Sequence, residues 1–200
     1  MNKKDILIVC ALEEETNGKL DGYNVIYTGV GKVNATYELT AELLFQQKLA
    51  QLDVPSKFPQ LVINFGTAGS RDIPIHTLVA CTKFIQRDMD ATGLGFFKGQ
   101  TPFEKELLMD FSYLPTFTDV NDYVCGSGDN FVENIDNEID HIDIFDMEAY
   151  ALAKVCSKIG IEFISYKYIT DNVDEESAND WKENCNKGIK EFKKLLKKYY

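Results

Sequence analysis

LVINFGTAGS, from Leu61 to Ser70, is a short apolar, β-branched run that breaks into Gly66-Thr67-Ala68-Gly69. Its five leading residues, Leu61 to Phe65, predict a strand buried on both faces, and the glycines predict a turn. The same unit recurs in both directions. Upstream, DILIVCAL (Asp5 to Leu12) precedes Glu13-Glu14-Glu15, and NVIYT (Asn24 to Thr28) precedes Gly29-Val30-Gly31. Downstream, TLVACTKFI (Thr77 to Ile85) leads to Arg87-Asp88-Met89-Asp90, and Asp122 to Cys125 leads to Gly126-Ser127-Gly128-Asp129. Ile142 to Phe145 runs into Asp146-Met147-Glu148, and Ile161 to Ile169 into Thr170-Asp171.

Helical patterns lie between these runs. Lys32 to Leu49 carries Val33, Tyr37, Leu39, Leu43 and Leu44, with Ala50 following, at three and four spacing, which predicts an amphipathic helix with Gln46, Gln47 and Lys48 facing water. A second helix is expected from Glu148 to about Ile159, with Ala149, Leu152, Ala153 and Cys156 inside. Ser177 to Tyr200 repeats Ile189, Phe192, Leu195, Leu196 and Tyr199 between lysines, the pattern of a packed C-terminal helix with a basic wet face; a membrane-surface helix is the alternative. Strands alternating with helices define an α/β chain with a largely parallel sheet. The 200 residues contain no linker-like stretch, so one domain spanning 1–200 is expected.

The charge balance narrows the partners. Lys and Arg total 21 against 32 Asp and Glu, a net charge of −11, and such a field repels phosphate backbones and anionic membranes. Neither nucleic acid nor a membrane is an expected partner. Arg71 and Arg87 are the sole arginines, so clamps built from several guanidinium forks have few candidates. The five cysteines, Cys10, Cys81, Cys125, Cys156 and Cys185, show no CxxC or Cys/His ligand spacing and read as reduced thiols of a cytoplasmic protein. The N-terminal apolar run is too short for a membrane span and reads as a first strand.

Open α/β folds bind ligands beyond the carboxyl ends of their strands, where this sequence places Glu13 to Glu15, Asp88, Asp90, Asp129, Asp146, Glu148 and Asp171. Carboxylates gathered in one crevice repel one another and raise at least one pKa, which supplies a proton donor beside a base. Each also has a plainer reading. The Glu triplet fits a solvated helix start, Asp146 an N-cap, and the acidic stretch after Asp171 a solvated loop that lacks the pattern of a calcium site. Gly29-Val30-Gly31 completes neither a dinucleotide fingerprint nor a P-loop, no serine sits in GxSxG, and His76 and His141 lie away from the turns.

Taken in order, ALEEE (Ala11 to Glu15), TGVGKVNA (Thr28 to Ala35), NFGTAGS (Asn64 to Ser70), DMDATGLGFFKGQTP (Asp88 to Pro102), SGDNFV (Ser127 to Val132), DMEAYALAKVC (Asp146 to Cys156) and ITDNVD (Ile169 to Asp174) resemble the nucleoside phosphorylase/nucleosidase family. Its methylthioadenosine/S-adenosylhomocysteine nucleosidase branch is the nearest. The resemblance implies a three-layer αβα sandwich around a mixed, mostly parallel sheet, and cleavage of a purine nucleoside at its N-glycosidic bond. It implies Asp171 as the general acid at purine N7 and Glu15 as the group that activates the attacking water, with Glu14 as fallback. Glu148 would hold the ribose hydroxyls over Met147, Phe131 would stack on the base, and the backbone of Val132 would read its edge. Thr67, Ala68 and Gly69 would wall the ribose and the water. No metal or organic cofactor is implied, and family members are usually homodimers.

Within the family the nucleophile is water or phosphate. Arg71 is the one arginine expected near the site, so hydrolysis is favoured over phosphorolysis and a nucleoside over a nucleotide. An inactive nucleoside-binding module is the alternative of another class. The segment from Glu15 to Gly29 is short for the family, implying that one or two strands are missing. GTAGS stands where GSAGG is usual, and Glu133 to Phe145 is short and acidic, so another purine nucleoside or futalosine stays open as substrate.

Overall fold

The computed structural model describes residues 3–115, 123–134 and 140–200. The expected strand start at Asp122, and residues 135–139 of the acidic stretch, lie outside them. β1 (Ile6–Cys10) pairs in parallel with β2 (Asn24–Tyr27) on one side and β3 (Leu61–Gly69) on the other. β3 runs parallel to β8 (Glu162–Asp171), and β8 is antiparallel to β4 (Leu78–Gln86). β4 continues in parallel to β6 (Tyr123–Ser127) and antiparallel to the short β5 (Met109–Asp110), and β6 is parallel to β7 (Ile144–Asp146). A single pair, Gly69 with Phe145, returns β7 to β3, so the sheet curls back on itself at the end where these strands finish.

Alternation along β1 separates two cores. Leu7 and Val9 face the side covered by α1 (Lys32–Gln51) and α2 (Ala149–Ile159), while Ile6, Ile8 and Cys10 face the side covered by α4 (Ile189–Tyr199). On the second side Phe192 stacks on Phe65 with ring centroids 4.2 Å apart. Each such fully buried side chain is worth about 1.5–3 kcal/mol. Helices on both faces of a mixed, mostly parallel sheet make the three expected layers.

Three strands run further than their apolar runs suggest. Gly66 to Gly69, expected as a turn, is the second half of β3, and β8 continues through Thr170 and Asp171. Gly66 to Gly69 pair with Lys167 to Asp171 of β8, so the backbone groups of the glycine-rich segment are satisfied by a ladder. β6 likewise includes Gly126 and Ser127. Between Glu15 and Gly29 there is one strand, β2.

Two helical expectations are corrected. In α1 the buried residues are Ala35, Leu39, Leu43 and Gln46, whereas Val33, Tyr37, Leu44 and Phe45 are exposed. Gln46 tolerates burial because its amide is used: Nε2 donates to Glu42 Oε1 at 2.8 Å, and Oε1 accepts the Lys57 N–H at 2.6 Å. The tail is not one helix but α3 (Ser177–Asn184) and α4, with Gly188 between them. A Cβ on Gly188 would lie 2.4 Å from the Tyr168 ring, so the chain turns where it touches the sheet. The apolar stripe of α4 is spent on that sheet, and no described helix is long and apolar enough to cross a membrane.

Candidate active site

A cavity of about 280 Å³ opens where β3, β7 and β8 finish. Glu15, Thr67, Ala68, Gly69, Phe131, Val132, Met147, Glu148 and Asp171 all line it. Of the Glu triplet, which forms one 3-10 turn after β1, Glu13 and Glu14 are exposed while Glu15 is 3% exposed. Glu14 is therefore not the inward-facing member.

Glu15 is held by donors. Its Oε1 accepts the Thr67 N–H at 2.8 Å and the Thr67 hydroxyl at 3.0 Å, and its Oε2 accepts the Leu12 N–H at 3.1 Å. Burial raises the carboxyl above the ordinary glutamate value, and the Leu12 and Thr67 hydrogen bonds together with the Lys167 charge oppose that rise. Glu148 is the N-cap residue just before α2, and its Oε1 accepts the Gly31 N–H at 2.8 Å. Gly31, at φ 94°, lies in the left-handed region that presents this donor before α1. Burial first, then the neighbouring Asp146 charge, pushes Glu148 up to about 7.

Asp171, the last residue of β8, accepts the Thr170 hydroxyl at 2.9 Å and the Val173 N–H at 3.2 Å. Burial raises its carboxyl above the ordinary aspartate value, the direction a proton donor needs, against the lowering by these hydrogen bonds. Gly69 makes room for it: a Cβ there would stand 2.5 Å from Asp171 Oδ1 and 2.9 Å from Val173 Cγ2.

Asp146, the last residue of β7, accepts the Ala149 N–H at the start of α2 at 2.9 Å and the Ser127 hydroxyl at 2.5 Å. It also forms a buried ion pair with Lys167 at 2.7 Å. Burial works against both charges, yet the pairing holds Asp146 below and Lys167 above their ordinary ranges. A Cβ on Gly66 would lie 3.2 Å from Glu15 Oε1 and 3.3 Å from Lys167 Nζ, so this one cation faces Glu15 as well. Sequence reasoning missed Lys167, although a lysine inside the run Ile161 to Ile169 was the signal.

It also missed Trp181, Lys182, Ala178, Asn130 and Arg87 as lining residues. Trp181 Nε1 donates to Thr67 Oγ1 at 3.0 Å. The arginine at the cavity is Arg87, not the expected Arg71, which is exposed and lines none of it. Arg87 is 1% exposed, stacks against Gly128 and donates to the side-chain oxygen of Asn130 at 3.0 Å and to its carbonyl at 2.6 Å. It shapes the wall carrying Phe131 and Val132. The other turns serve elsewhere: Asp88 pairs with Lys32 at 2.5 Å, and Asp129 accepts the Lys32 N–H at the start of α1. Among the described residues no group of His, Cys, Asp and Glu has a metal-holding arrangement.

A mixed sheet whose strand ends surround a cavity with several carboxylates defines the class: the chain belongs to the phosphorylase superfamily, whose family model matches residues 10–200. It is 30% identical over 186 residues to the 5′-methylthioadenosine/S-adenosylhomocysteine nucleosidase of Marinomonas sp. (strain MWYL1), covering 83% of this chain and 76% of that protein. Solved structures share the fold. A point mutant of the Helicobacter pylori MTAN with 5′-methylthioadenosine in its active site superposes with a TM-score of 0.77 at 21% identity, covering 97% of this chain and 98% of that one. The futalosine hydrolase of Helicobacter pylori strain 26695 gives 0.75 at 22% identity over 96% of this chain and 95% of that one.

Proposed function

We propose that the protein hydrolyses the N-glycosidic bond of a purine nucleoside of the methylthioadenosine/S-adenosylhomocysteine type, releasing the free base and a ribose derivative. One observation carries the reading: Glu15, Glu148 and Asp171, from three separate strand ends, line the same cavity beside Phe131. The curated relatives named as nucleosidases of these two substrates support the choice of bond and base.

In this reading Asp171 gives its proton to N7, so that the C1′–N9 electron pair leaves on a neutral base. Water held by Glu15 attacks C1′ and passes its proton to that carboxylate, as a base does in inverting glycosidases. Glu148 accepts from the ribose hydroxyls, and its charge favours the oxocarbenium-like transition state. Met147 floors the sugar, Phe131 stacks on the purine, the Val132 backbone reads its edge, and Thr67, Ala68 and Gly69 allow close approach. Water is preferred to phosphate because Arg87 is engaged by Asn130 and Arg71 faces solvent. No cofactor enters these steps.

The working unit is a homodimer in the cytoplasm. The dimer reading draws on Val33, Tyr37 and Leu44, an exposed apolar set on one helix beside the Lys32 and Asp88 pair. The compartment reading draws on five free cysteines.

The test is free-base release from methylthioadenosine, S-adenosylhomocysteine, adenosine and inosine, with and without phosphate. Phosphate-independent adenine release that falls about 10²–10⁴-fold in Asp171→Asn, with ligand binding kept, is the expected result. Strict phosphate dependence would make the protein a phosphorylase. No release from any nucleoside would leave a binding module.

A further inference from the structure

Trp181 is the chain's sole tryptophan, and it projects from α3 into the cavity wall. Its indole nitrogen only donates, so the group it meets must offer a lone pair. That group is Thr67 Oγ1, 3.0 Å away, and Thr67 Oγ1 lies 3.0 Å from Glu15 Oε1, which only accepts when ionised. A threonine hydroxyl has one proton and rotates freely unless its surroundings choose a direction. Here the indole N–H takes a lone pair and the carboxylate takes the proton, so both ends fix the same rotamer. Each hydrogen bond in such a chain polarises the next.

We infer that Trp181 is a positioning residue for Glu15, acting through the Thr67 hydroxyl to keep that carboxylate oriented and ionised. The inference rests on the reading of Glu15 as the group that handles the attacking water. Two further observations agree with it. The Thr67 hydroxyl opposes the rise that burial imposes on Glu15. In addition, α3 is tied to the end of β8 by Asn184 Nδ2, which donates to the Thr170 carbonyl at 2.9 Å, and to the loop after β8 by Ser177 Oγ, which accepts the Asp174 N–H at 2.8 Å. The indole is thereby held at a set distance from the strand that carries Asp171.

Trp181→Phe keeps an aromatic wall and removes the N–H, and Thr67→Val keeps the branched shape and removes the hydroxyl. In a base-release assay Trp181→Phe should lower kcat about 5–30-fold while KM changes less than about threefold. The acid limb of its pH profile should move to higher pH, because losing a donor to the charged form makes the carboxyl easier to protonate. Thr67→Val should move the limb in the same direction, and the double variant should match Thr67→Val alone, since both changes cut one chain. An unmoved limb in Trp181→Phe, or losses that multiply in the double variant, would overturn the inference while leaving hydrolysis in place. Wild-type protein that releases no base would instead remove the reading of Glu15 beneath it.

Discussion

Glu148 shows how one carboxyl couples function to stability. Burial and the Asp146 charge hold it at about 7, above its ordinary 4.5, so the native state binds this proton more tightly than the unfolded chain. Its favourable contribution is fully present below about 4.5 and is lost as pH rises through about 7. Above that the buried charge costs about 3 kcal/mol, a net cost that already contains the opposing Gly31 N–H and Lys167. Glu148→Gln, which retains an acceptor for Gly31, should raise the Tm at about pH 8 and lose that gain near pH 5, while abolishing most base release. Thermal unfolding at the two pH values measures the gain; a Tm unchanged at pH 8 would count against a raised Glu148.

At the scale of elements, the paired ends of β3 and β8 are what bring Thr67 beside Glu15 and Gly69 beside Asp171. The strands run in parallel through this region, with a register shift between Ala68 and Gly69 that sets Gly69 opposite Asp171. Any side chain at residue 69 would enter the space of the Asp171 carboxylate. Gly69→Ala should therefore destabilise the fold by about 1–3 kcal/mol and reduce base release further than that loss alone explains, since Asp171 must move. Urea unfolding and kcat on the folded fraction separate the two effects. Lys167 belongs to the same pair of strands, opposite Gly66, where the missing Cβ leaves room for its ammonium beside Glu15.

For the whole molecule, the exposed side of α1 carries the expectation. Val33 is 78% and Tyr37 69% exposed, while the same helix buries Leu39 and Leu43 completely or nearly so. A helix with apolar residues on both sides is suited to two partners, the sheet on one and a second copy on the other. Light scattering should give a dimer mass for the wild type and a monomer mass for Tyr37→Lys with Leu44→Lys. A wild-type monomer at micromolar concentration would remove the dimer reading. The dimer's Tm should rise with protein concentration and that of the monomeric variant should not, because association stabilises by mass action.

Local chemistry in the chain determined the alternation of strands and helices, the parallel character of the sheet and the carboxylates placed after apolar runs. Those features depend on neighbours within a few residues, so they are legible in order along the sequence. The motif strings extended this to a family and to nine candidate residues, all of which line one cavity. What the tertiary structure decided depends on partners far apart in the chain. Gly66 to Gly69 became strand because β8 supplied a ladder, and Gln46 became core because Lys57 and Glu42 satisfied its amide. Arg87 replaced Arg71 at the cavity because β4 ends beside Asn130, and Lys167 became the counter-ion of Asp146 because β8 lies between β3, whose end meets β7, and β4 in one sheet. A buried charge or a shared hydroxyl is acceptable only where its partner arrives, and that arrival is settled by packing across the sheet.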